Sequence, residues 1–244
     1  MRLLSDFQAV LDRIGVSIPK NAKILDFGCG AGAAVYALLD QGYSNVSGYD
    51  VSDYVKLRHP ADRSRFHHTS PLELRLPFDD NTFDLILSDQ VFEHVMDQVS
   101  VFRELYRVTR PGGHALHVIP ARYMPTEGHM YVPFGSIFPH RWWFKLWALM
   151  GVRNEFQKGL SANETADRNA FYYVEALNYV TSSCYKVVWG KLGFRYKWVT
   201  QEVFDSHARI GGRIIGRLNR IFPIIGCLYR IFRARYVYLQ KAEV

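Results

Sequence analysis

The stretch Ile24-Leu25-Asp26-Phe27-Gly28-Cys29-Gly30-Ala31-Gly32 decides the fold. The residues from Lys23 to Phe27 form a short apolar run, which predicts a buried strand, and three glycines at alternate positions follow it. Beyond Gly32, residues 33–39 have helical preference and an apolar face. A strand, a glycine turn and a helix in this order let a ligand lie against the backbone at the carboxyl edge of a parallel sheet. The stretch therefore predicts a nucleotide-type site, with glycines that allow a sharp turn and close approach.

An acidic residue supports this interpretation. Residues 46–50 predict a second strand that ends at Asp50, about 20 residues after the glycines, where a carboxylate can accept hydrogen bonds from both ribose hydroxyls. The alternative for Asp50 is a solvated strand end, which the glycines make less favourable. A dinucleotide enzyme would carry G-x-G-x-x-G, whereas here the third glycine comes one residue early and no Arg or Lys follows it.

Two further runs continue the pattern. Leu76-Pro77-Phe78-Asp79-Asp80-Asn81-Thr82-Phe83-Asp84 predicts a polar turn that leads into a fourth strand, and Glu93-His94-Val95 follows that strand. A helix carrying apolar residues from Val99 to Val108 comes next. Arg110-Pro111-Gly112-Gly113 predicts the turn into a fifth strand over residues 114–119.

These motifs, in this order and spacing, resemble the class I S-adenosylmethionine-dependent methyltransferases. The closer resemblance is to the subgroup related to the ubiquinone and menaquinone biosynthesis methyltransferases (methyltransferase type 11-like). The resemblance implies an α/β fold with a doubly wound, mostly parallel seven-stranded sheet (Rossmann-like methyltransferase fold), whose final strand is antiparallel. It also implies one methyltransferase domain over residues 1–244, with S-adenosyl-L-methionine as cofactor.

The resemblance implies a set of cofactor-binding residues. The glycine loop would receive the methionine half of the cofactor, Asp50 its ribose, and Val51 and Ser52 its adenine. The family usually has an acidic residue after the third strand, but residues 67–73 offer no clear equivalent, so Ser70 or the Leu72 backbone would meet the adenine. The predicted cofactor residues are Asp26, Gly28, Cys29, Gly30, Gly32, Asp50, Val51, Ser52, Ser70, Leu72, Asp89 and Gln90. His94 is expected to be mainly structural.

A long aromatic insert follows the predicted fifth strand. Residues 121–160 predict a lid over the methyl-donor site that excludes water and shapes an acceptor pocket, with substrate contacts from Tyr123, His129, Tyr131 and His140. His129 is the predicted catalytic base, because a neutral imidazole can take a hydroxyl proton. The alternatives are a histidine that only hydrogen-bonds loop backbone, and a packed satellite core built on Trp142, Trp143 and Trp147.

The last third predicts a second insert. A helix over residues 163–185 is expected to turn Phe171, Val174, Leu177 and Val180 inward. Residues 195–199 and 235–240 predict the sixth and final strands, so residues 204–233 form a helical insert in the last hairpin. No acidic residue lies between Ser206 and Ala242. The helical stripe Arg209, Arg213, Arg217 and Arg220 beside isoleucines and leucine predicts contact with an anionic membrane; the alternative is a hairpin packed on the domain or on a dimer partner.

Composition limits the remaining choices. The chain has 244 residues and a formal net charge of +7, and its three cysteines are few and odd in number, which predicts reduced thiols and no metal site. Neither a secretory signal nor a run near the roughly 18 apolar residues of a membrane span is evident. Nucleic acid is disfavoured because the Asn/Asp-Pro-Pro-Tyr tetrapeptide is absent and the arginine stripe alone is weak support.

The sequence therefore predicts a methyltransferase that methylates a hydroxyl of a small or lipid-linked acceptor, such as a sugar, a glycan or a quinone-like ring. The alternatives are C- or N-methylation of a small molecule, and a non-catalytic scaffold that binds S-adenosylmethionine. The expected protein is a monomer or homodimer, cytoplasmic or peripheral at the inner membrane face.

Overall fold

The structure is a computed structural model, and it describes residues 3–70, 73, 75–207 and 210–243. The fold is built on one seven-stranded sheet. The strands follow the spatial order β3-β2-β1-β4-β5-β7-β6. They are β1 (Lys23–Phe27), β2 (Asn45–Asp50), β3 (Phe66–His68), β4 (Phe83–Asp89), β5 (Thr109–Pro120), β6 (Phe194–Trp198) and β7 (Ala234–Lys241).

The direction of the strands confirms the predicted fold class. The neighbours among β1 to β5 pair in parallel, whereas β7 runs antiparallel to both β5 and β6. The strand β1 lies between β2 and β4, so the chain reverses its direction of progress across the sheet there. Such a switch point opens a crevice at the carboxyl ends of the strands, where ligands bind in open α/β sheets.

Helices cover both faces of this sheet. On one face lie α1 (Leu3–Arg13), α2 (Ala33–Asp40) and α7 (Thr200–Ser206), whose side chains Phe7, Leu38 and Val203 are buried in one apolar cluster. On the other face lie α3 (Gln98–Val108) and α6 (Ser182–Leu192), which bury Phe102 and Trp189 in a second cluster. Burying apolar area on both sides makes the sheet a rigid support for the loops at its edge.

The segment between β5 and α6 has an apolar cluster of its own. It contains α4 (Arg141–Leu149) and α5 (Ala162–Ala176), and its buried residues include Met130, Val132 and Phe144. Trp143 and Trp147 pack against this cluster, while Trp142 is 60% exposed. This packed segment, called the lid below after its predicted role, therefore continues past residue 160 to the start of α6, further than the predicted 121–160 insert.

The expected helix over residues 163–185 is wrong. It is two helices, since α5 ends at Ala176 and α6 begins at Ser182. Phe171 and Val174, expected to face inward, are each 70% exposed, because α5 packs through a face that buries Ala166 and Asn169 instead. Apolar spacing marks a stripe on a helix, but it does not show which stripe the neighbouring helix covers.

The predicted helical insert lies between β6 and β7. After α7, it consists of α8 (Ile210–Ile221) and α9 (Ile224–Phe232), and Pro223 stands at the break between them, as expected. Arg209 lies outside the described residues, as does Leu72 of the predicted cofactor site. Within the described part of the chain, no helix is both long and apolar enough to cross a membrane.

Candidate active site

The glycine loop follows β1 and is fixed by β2. The backbone N–H groups of Gly28 and Cys29 both donate to the Tyr49 carbonyl, at 2.8 and 3.0 Å. Gly28 has a φ of 79°, in the left-handed region, and a Cβ added there would lie 2.2 Å from a methyl carbon of Val91. Position 28 therefore requires glycine for two independent reasons, its backbone conformation and the close approach of Val91.

Asp50, at the end of β2, holds the glycine loop through hydrogen bonds. Its Oδ2 accepts a hydrogen bond from the Gly30 N–H at 2.8 Å, and its Oδ1 accepts one from the Ser52 N–H at 3.1 Å. Each carboxylate oxygen has a second acceptor site, so Asp50 can still accept hydrogen bonds from two hydroxyl groups. This arrangement fixes the carboxylate at the edge of the glycine loop, as the predicted ribose contact requires.

Asp26 is buried behind the loop with an unused oxygen. It is 2% exposed, and its Oδ2 has no hydrogen-bond partner among the described residues. Burial, followed by the negative charges of Asp89 and Asp50, raises the pKa of Asp26 to about 7. Three carboxyl groups around one loop favour a positively charged ligand there.

A cavity of about 530 Å³ opens in front of this loop, the cofactor cleft. Five of the predicted cofactor residues lie in its wall, namely Gly28, Asp50, Val51, Ser52 and Gln90. Gln90 holds a φ of 58°, an uncommon conformation for a residue other than glycine, immediately after β4.

The remaining predicted cofactor residues lie around the cleft but not in its wall. Gly30 and Gly32 shape the loop behind it, and Asp89 ends β4. Cys29 contributes only backbone, because its side chain is 8% exposed and packs into the core, and burial raises the pKa of its thiol to about 12. Ser70 is exposed and outside the wall formed by the described residues.

The sequence interpretation missed Glu73. This residue lines the cofactor cleft near the end of β3, where the methyltransferases that the sequence resembles usually have an acidic residue. Glu73 stands five residues beyond the last residue of β3, and no local pattern connects it to the site. A search for any acidic residue between the third and fourth strands could have identified Glu73. Other unpredicted wall residues include Phe27, Tyr49, Tyr54, Val91, His94 and Met96.

A second cavity of about 720 Å³ lies in the lid. Its wall combines polar groups with aromatic rings, and His129 and Tyr131 of the predicted substrate residues belong to it; further members include Asn154, Phe156, Arg168, Phe171 and Tyr172. Tyr123 and His140, also predicted, lie outside the wall that the described residues form. Tyr123 is at the start of the lid segment, and His140 precedes the first turn of α4 beside Trp142.

His129 is held by a buried carboxylate. Its Nδ1 lies 2.8 Å from Oε1 of Glu127, which is fully buried and also accepts hydrogen bonds from the Tyr179 hydroxyl and from the backbone of His129 and Met130. Because the carboxylate only accepts, Nδ1 of His129 carries a hydrogen, and Nε2 of the neutral ring offers a lone pair. The hydrogen bond to Glu127 raises the pKa of His129 above its ordinary value of 6.5.

His94 connects the walls of the two cavities. It lines the cofactor cleft, and its ring meets the ring of His129 edge to face with 4.8 Å between centroids. The Nδ1 of His94 donates to the Ala176 carbonyl at 2.9 Å, so its Nε2 also offers a lone pair. His94, which the sequence analysis treats as mainly structural, therefore lies in the wall of the cofactor cleft and touches a wall residue of the lid cavity.

The buried Glu93 completes a cluster with these histidines. Its Oε2 has no partner among the described residues, and burial raises its pKa to about 7. One ligand atom from each of Glu93, His94 and His129 lies within 4.8 Å of the others, a spacing at which the three groups could hold a metal ion. The sequence predicts no metal here, and this stays a prediction.

Comparison with known proteins agrees with the fold and the loop. Residues 25–117 match the family model described as a methyltransferase domain. The chain is 32% identical over 108 residues to 24-methylenesterol C-methyltransferase 2 of Arabidopsis thaliana, which covers 40% of this chain and 28% of that protein. It is 32% identical over 114 residues to methyltransferase GfsG of Streptomyces halstedii, covering 43% of this chain and 40% of that protein.

Solved structures extend the likeness over the whole chain, for the fold alone. An S-adenosylmethionine-dependent methyltransferase from Mesorhizobium loti has a TM-score of 0.52 at 17% identity and covers 97% of this chain and 100% of its own. The second structure is geranyl diphosphate C-methyltransferase from Streptomyces coelicolor A3(2), in complex with Mg²⁺, geranyl diphosphate and S-adenosyl-L-homocysteine. It has a TM-score of 0.52 at 14% identity, and the match covers 98% of this chain and 78% of that chain.

Residues 25–117 match a methyltransferase domain, and the fold of the whole chain is that of the class I S-adenosylmethionine-dependent methyltransferases. The family model covers about two fifths of the chain, from β1 into β5, and the chain spans less than half the length of the curated relatives named above. S-adenosylmethionine is the cofactor of this class. The residues present fit it, since the Gly28 cradle admits no Cβ and the orphaned Asp26 oxygen suits a cationic group.

Proposed function

We propose that this protein is an S-adenosylmethionine-dependent methyltransferase that methylates a hydroxyl of a small or lipid-linked acceptor, such as a sugar, a glycan or a quinone-like ring. One observation carries the proposal: His94 in the wall of the cofactor cleft and His129 in the wall of the lid cavity are in ring contact. A methyl donor on one side and an acceptor on the other would therefore have their reacting atoms at a histidine pair.

Gly28, Asp50, Ser52 and Gln90 would hold the cofactor, with Glu73 at its adenine. When bound, S-adenosylmethionine supplies a methyl group on a positively charged sulfur, which is released as a neutral thioether. The transfer is an in-line displacement, so the protein contributes mainly by holding donor and acceptor in position.

His129 is the proposed catalytic base. As the acceptor oxygen forms its bond to the methyl carbon, the hydroxyl proton passes to Nε2 of His129. The imidazolium that forms is stabilised by Glu127, a positioning residue that lies wholly out of solvent. Tyr179, whose hydroxyl donates to the same carboxylate at 2.7 Å, keeps Glu127 oriented. The lid encloses this proton transfer and keeps water away from the acceptor oxygen.

The lid cavity indicates the chemical class of the acceptor. Aromatic rings from Tyr131, Phe156, Phe171 and Tyr172 line it, and Asn154, Asp167 and Arg168 add a few polar groups. Such a wall suits a flat or ring-shaped acceptor that carries hydroxyls and an apolar body.

C-methylation is the second candidate. The relatives include proteins named sterol and geranyl diphosphate C-methyltransferases, and the aromatic wall of the lid cavity is suited to a cationic carbon. Here the base would remove a proton from carbon after the transfer, and His129 or Glu93 could do so.

Labelling from the methyl-labelled cofactor tests the proposal. The protein is incubated with aqueous and organic fractions of a cell extract, and labelled products are analysed by mass spectrometry and NMR. We expect an O-methyl product that His129→Ala strongly reduces. A methyl group on carbon would favour the second candidate, and the absence of any labelled product that depends on the protein would overturn both.

A further inference from the structure

The helical hairpin α8–α9 is fastened to the domain by small and polar residues. Asn219 donates from its amide nitrogen to Oε1 of Gln201 at 2.7 Å and accepts from the Gly226 N–H at 2.6 Å. A Cβ on Gly226 would lie 2.8 Å from Asn219, and one on Gly216 would lie 2.7 Å from a carboxylate oxygen of Asp205. These contacts fix which side of each helix faces the domain.

The opposite side of both helices is apolar, and it faces outward. On α8, four large apolar residues spaced three or four apart are exposed, with Ile210 at 75% and Ile221 at 68%; on α9 a matching row begins with Ile224 at 59%. We call this surface the outer hairpin face: Ile210, Ile214, Leu218, Ile221, Ile224, Leu228, Ile231 and Phe232. A helix of a water-exposed surface normally has the reverse arrangement, with its polar side outward.

Arginines flank this face, and no acidic residue lies between residues 206 and 242. Among the described residues of the hairpin the arginines are Arg213, Arg217, Arg220, Arg230 and Arg233. Arg235 and Lys241, which lie in the same acid-free stretch of sequence, do not contribute, because both are buried in β7 and donate to backbone carbonyls. Arg220 forms an ion pair with Asp205 of α7 at 2.6 Å, so the surface charge of the hairpin comes from the other four arginines.

Apolar residues within a border of arginines match the interface of an anionic bilayer. A second copy of this chain would match poorly, because pairing two outer hairpin faces would bring eight arginines together (Arg213, Arg217, Arg230 and Arg233 of each copy) without one carboxylate from either hairpin. Helices of 12 and 9 residues can lie in the plane of an interface with their apolar side down.

The hairpin also ends beside the lid. The carbonyl of Arg233, which follows α9, accepts a hydrogen bond from the N–H of Ala121, the first residue after β5. A surface resting on the outer hairpin face would therefore lie next to the edge of the sheet at which the lid begins.

We propose that the outer hairpin face docks on an anionic lipid surface, with its apolar residues in the acyl boundary and its arginines at the headgroups. The inference stands independently of the methyl transfer proposed above, since it rests on α8 and α9 alone.

Flotation of the full chain with lipid vesicles tests this. The probes are vesicles of phosphatidylcholine alone and vesicles with about one third phosphatidylglycerol. We expect the protein to float with the anionic vesicles only, and 0.5 M salt to weaken flotation at least about tenfold, because the arginine attraction is screened. Flotation with both vesicle types alike would overturn the role of the arginines, and no flotation would overturn the docking.

Matched variants separate the face from the rest of the surface. Ile214→Asp combined with Ile221→Asp should abolish flotation, and Arg213→Glu combined with Arg217→Glu should weaken it at least about tenfold. Leu149→Asp is the control, because Leu149 is also 68% exposed but lies on α4. Far-UV circular dichroism and S-adenosylmethionine binding, measured on every variant, show that each is folded. Retained flotation of the isoleucine variant, or a wild-type dimer that this variant dissociates without any vesicle binding, would overturn the proposal.

Discussion

The Nδ1 atom of His129 lies 2.8 Å from Oε1 of Glu127, a fully buried carboxylate two residues earlier in the chain. This pair leaves Nε2 of His129 without a part in the bond to Glu127, and the imidazole ring lies against the ring of His94 with 4.8 Å between centroids. The tautomer follows from the carboxylate, which can only accept, so the lone pair needed for a base is available whenever His129 is neutral.

Removal of the imidazole should slow the chemistry without affecting cofactor binding. We expect His129→Ala to lower kcat about 10²-fold to 10⁴-fold, the usual contribution of a general base, while the Kd for S-adenosylmethionine stays within a factor of about three. Steady-state kinetics with the identified acceptor and calorimetry measure the two quantities. His140→Ala is the matched control, since that histidine lies outside the cavity walls, and it should retain nearly full activity. Equal rates for wild type and His129→Ala would remove the catalytic role.

The pH profile reports on Glu127. A base must be neutral, so kcat/KM should fall as the pH falls through the pKa of His129, which the carboxylate holds above 6.5. In Glu127→Gln the negative charge is lost and the pKa of His129 falls, so the acid limb of the profile should move to lower pH. An acid limb at the same pH in both proteins would contradict the assignment of that limb to His129.

Asp50 should contribute to cofactor affinity through its carboxylate. Hydrogen bonds to a charged acceptor are worth about 1.5–3 kcal/mol, so Asp50→Ala should weaken S-adenosylmethionine binding roughly 10-fold to 100-fold. Asp53→Ala is the control, because Asp53 carries the same charge three positions away but pairs with Arg63 at the surface. If both variants bind alike, the site assignment at the end of β2 fails.

Chelation distinguishes the two uses of the Glu93, His94 and His129 cluster. With His129 acting as a base, activity should be unchanged after dialysis against EDTA and after addition of Mg²⁺ or Mn²⁺. A large loss on chelation that a divalent cation restores would show that the cluster holds an ion, since a metal on Nε2 of His129 would occupy the lone pair required of the base.

The fold was predictable because its signals are local. The strand β1, its glycines and Asp50 lie within 28 residues and constrain one another through backbone geometry. The same holds for Pro223 at the break between α8 and α9. At each of these positions the local backbone conformation favours one residue type, so the residue type predicts the conformation.

The acceptor side was less predictable because its contacts are distant in sequence. Glu127 and Tyr179 are 52 residues apart, yet a hydrogen bond between them holds the carboxylate that contacts His129. Glu73 enters the cofactor cleft from a segment without a pattern. The inward face of α5 depends on where α4 packs, which no spacing of Phe171 and Val174 could reveal.

Calorimetric titration with S-adenosylmethionine of the wild type and two glycine variants tests the central claim most directly. Gly28→Val places a side chain where a Cβ already meets Val91 at 2.2 Å, whereas Gly30→Ala meets nothing within 4 Å, and both positions have positive φ. We expect one binding site in the wild type, weaker binding in Gly30→Ala from backbone strain alone, and no measurable binding in a folded Gly28→Val. Wild-type protein that does not bind S-adenosylmethionine, or a Gly28→Val variant that binds it as tightly as wild type, would contradict the account.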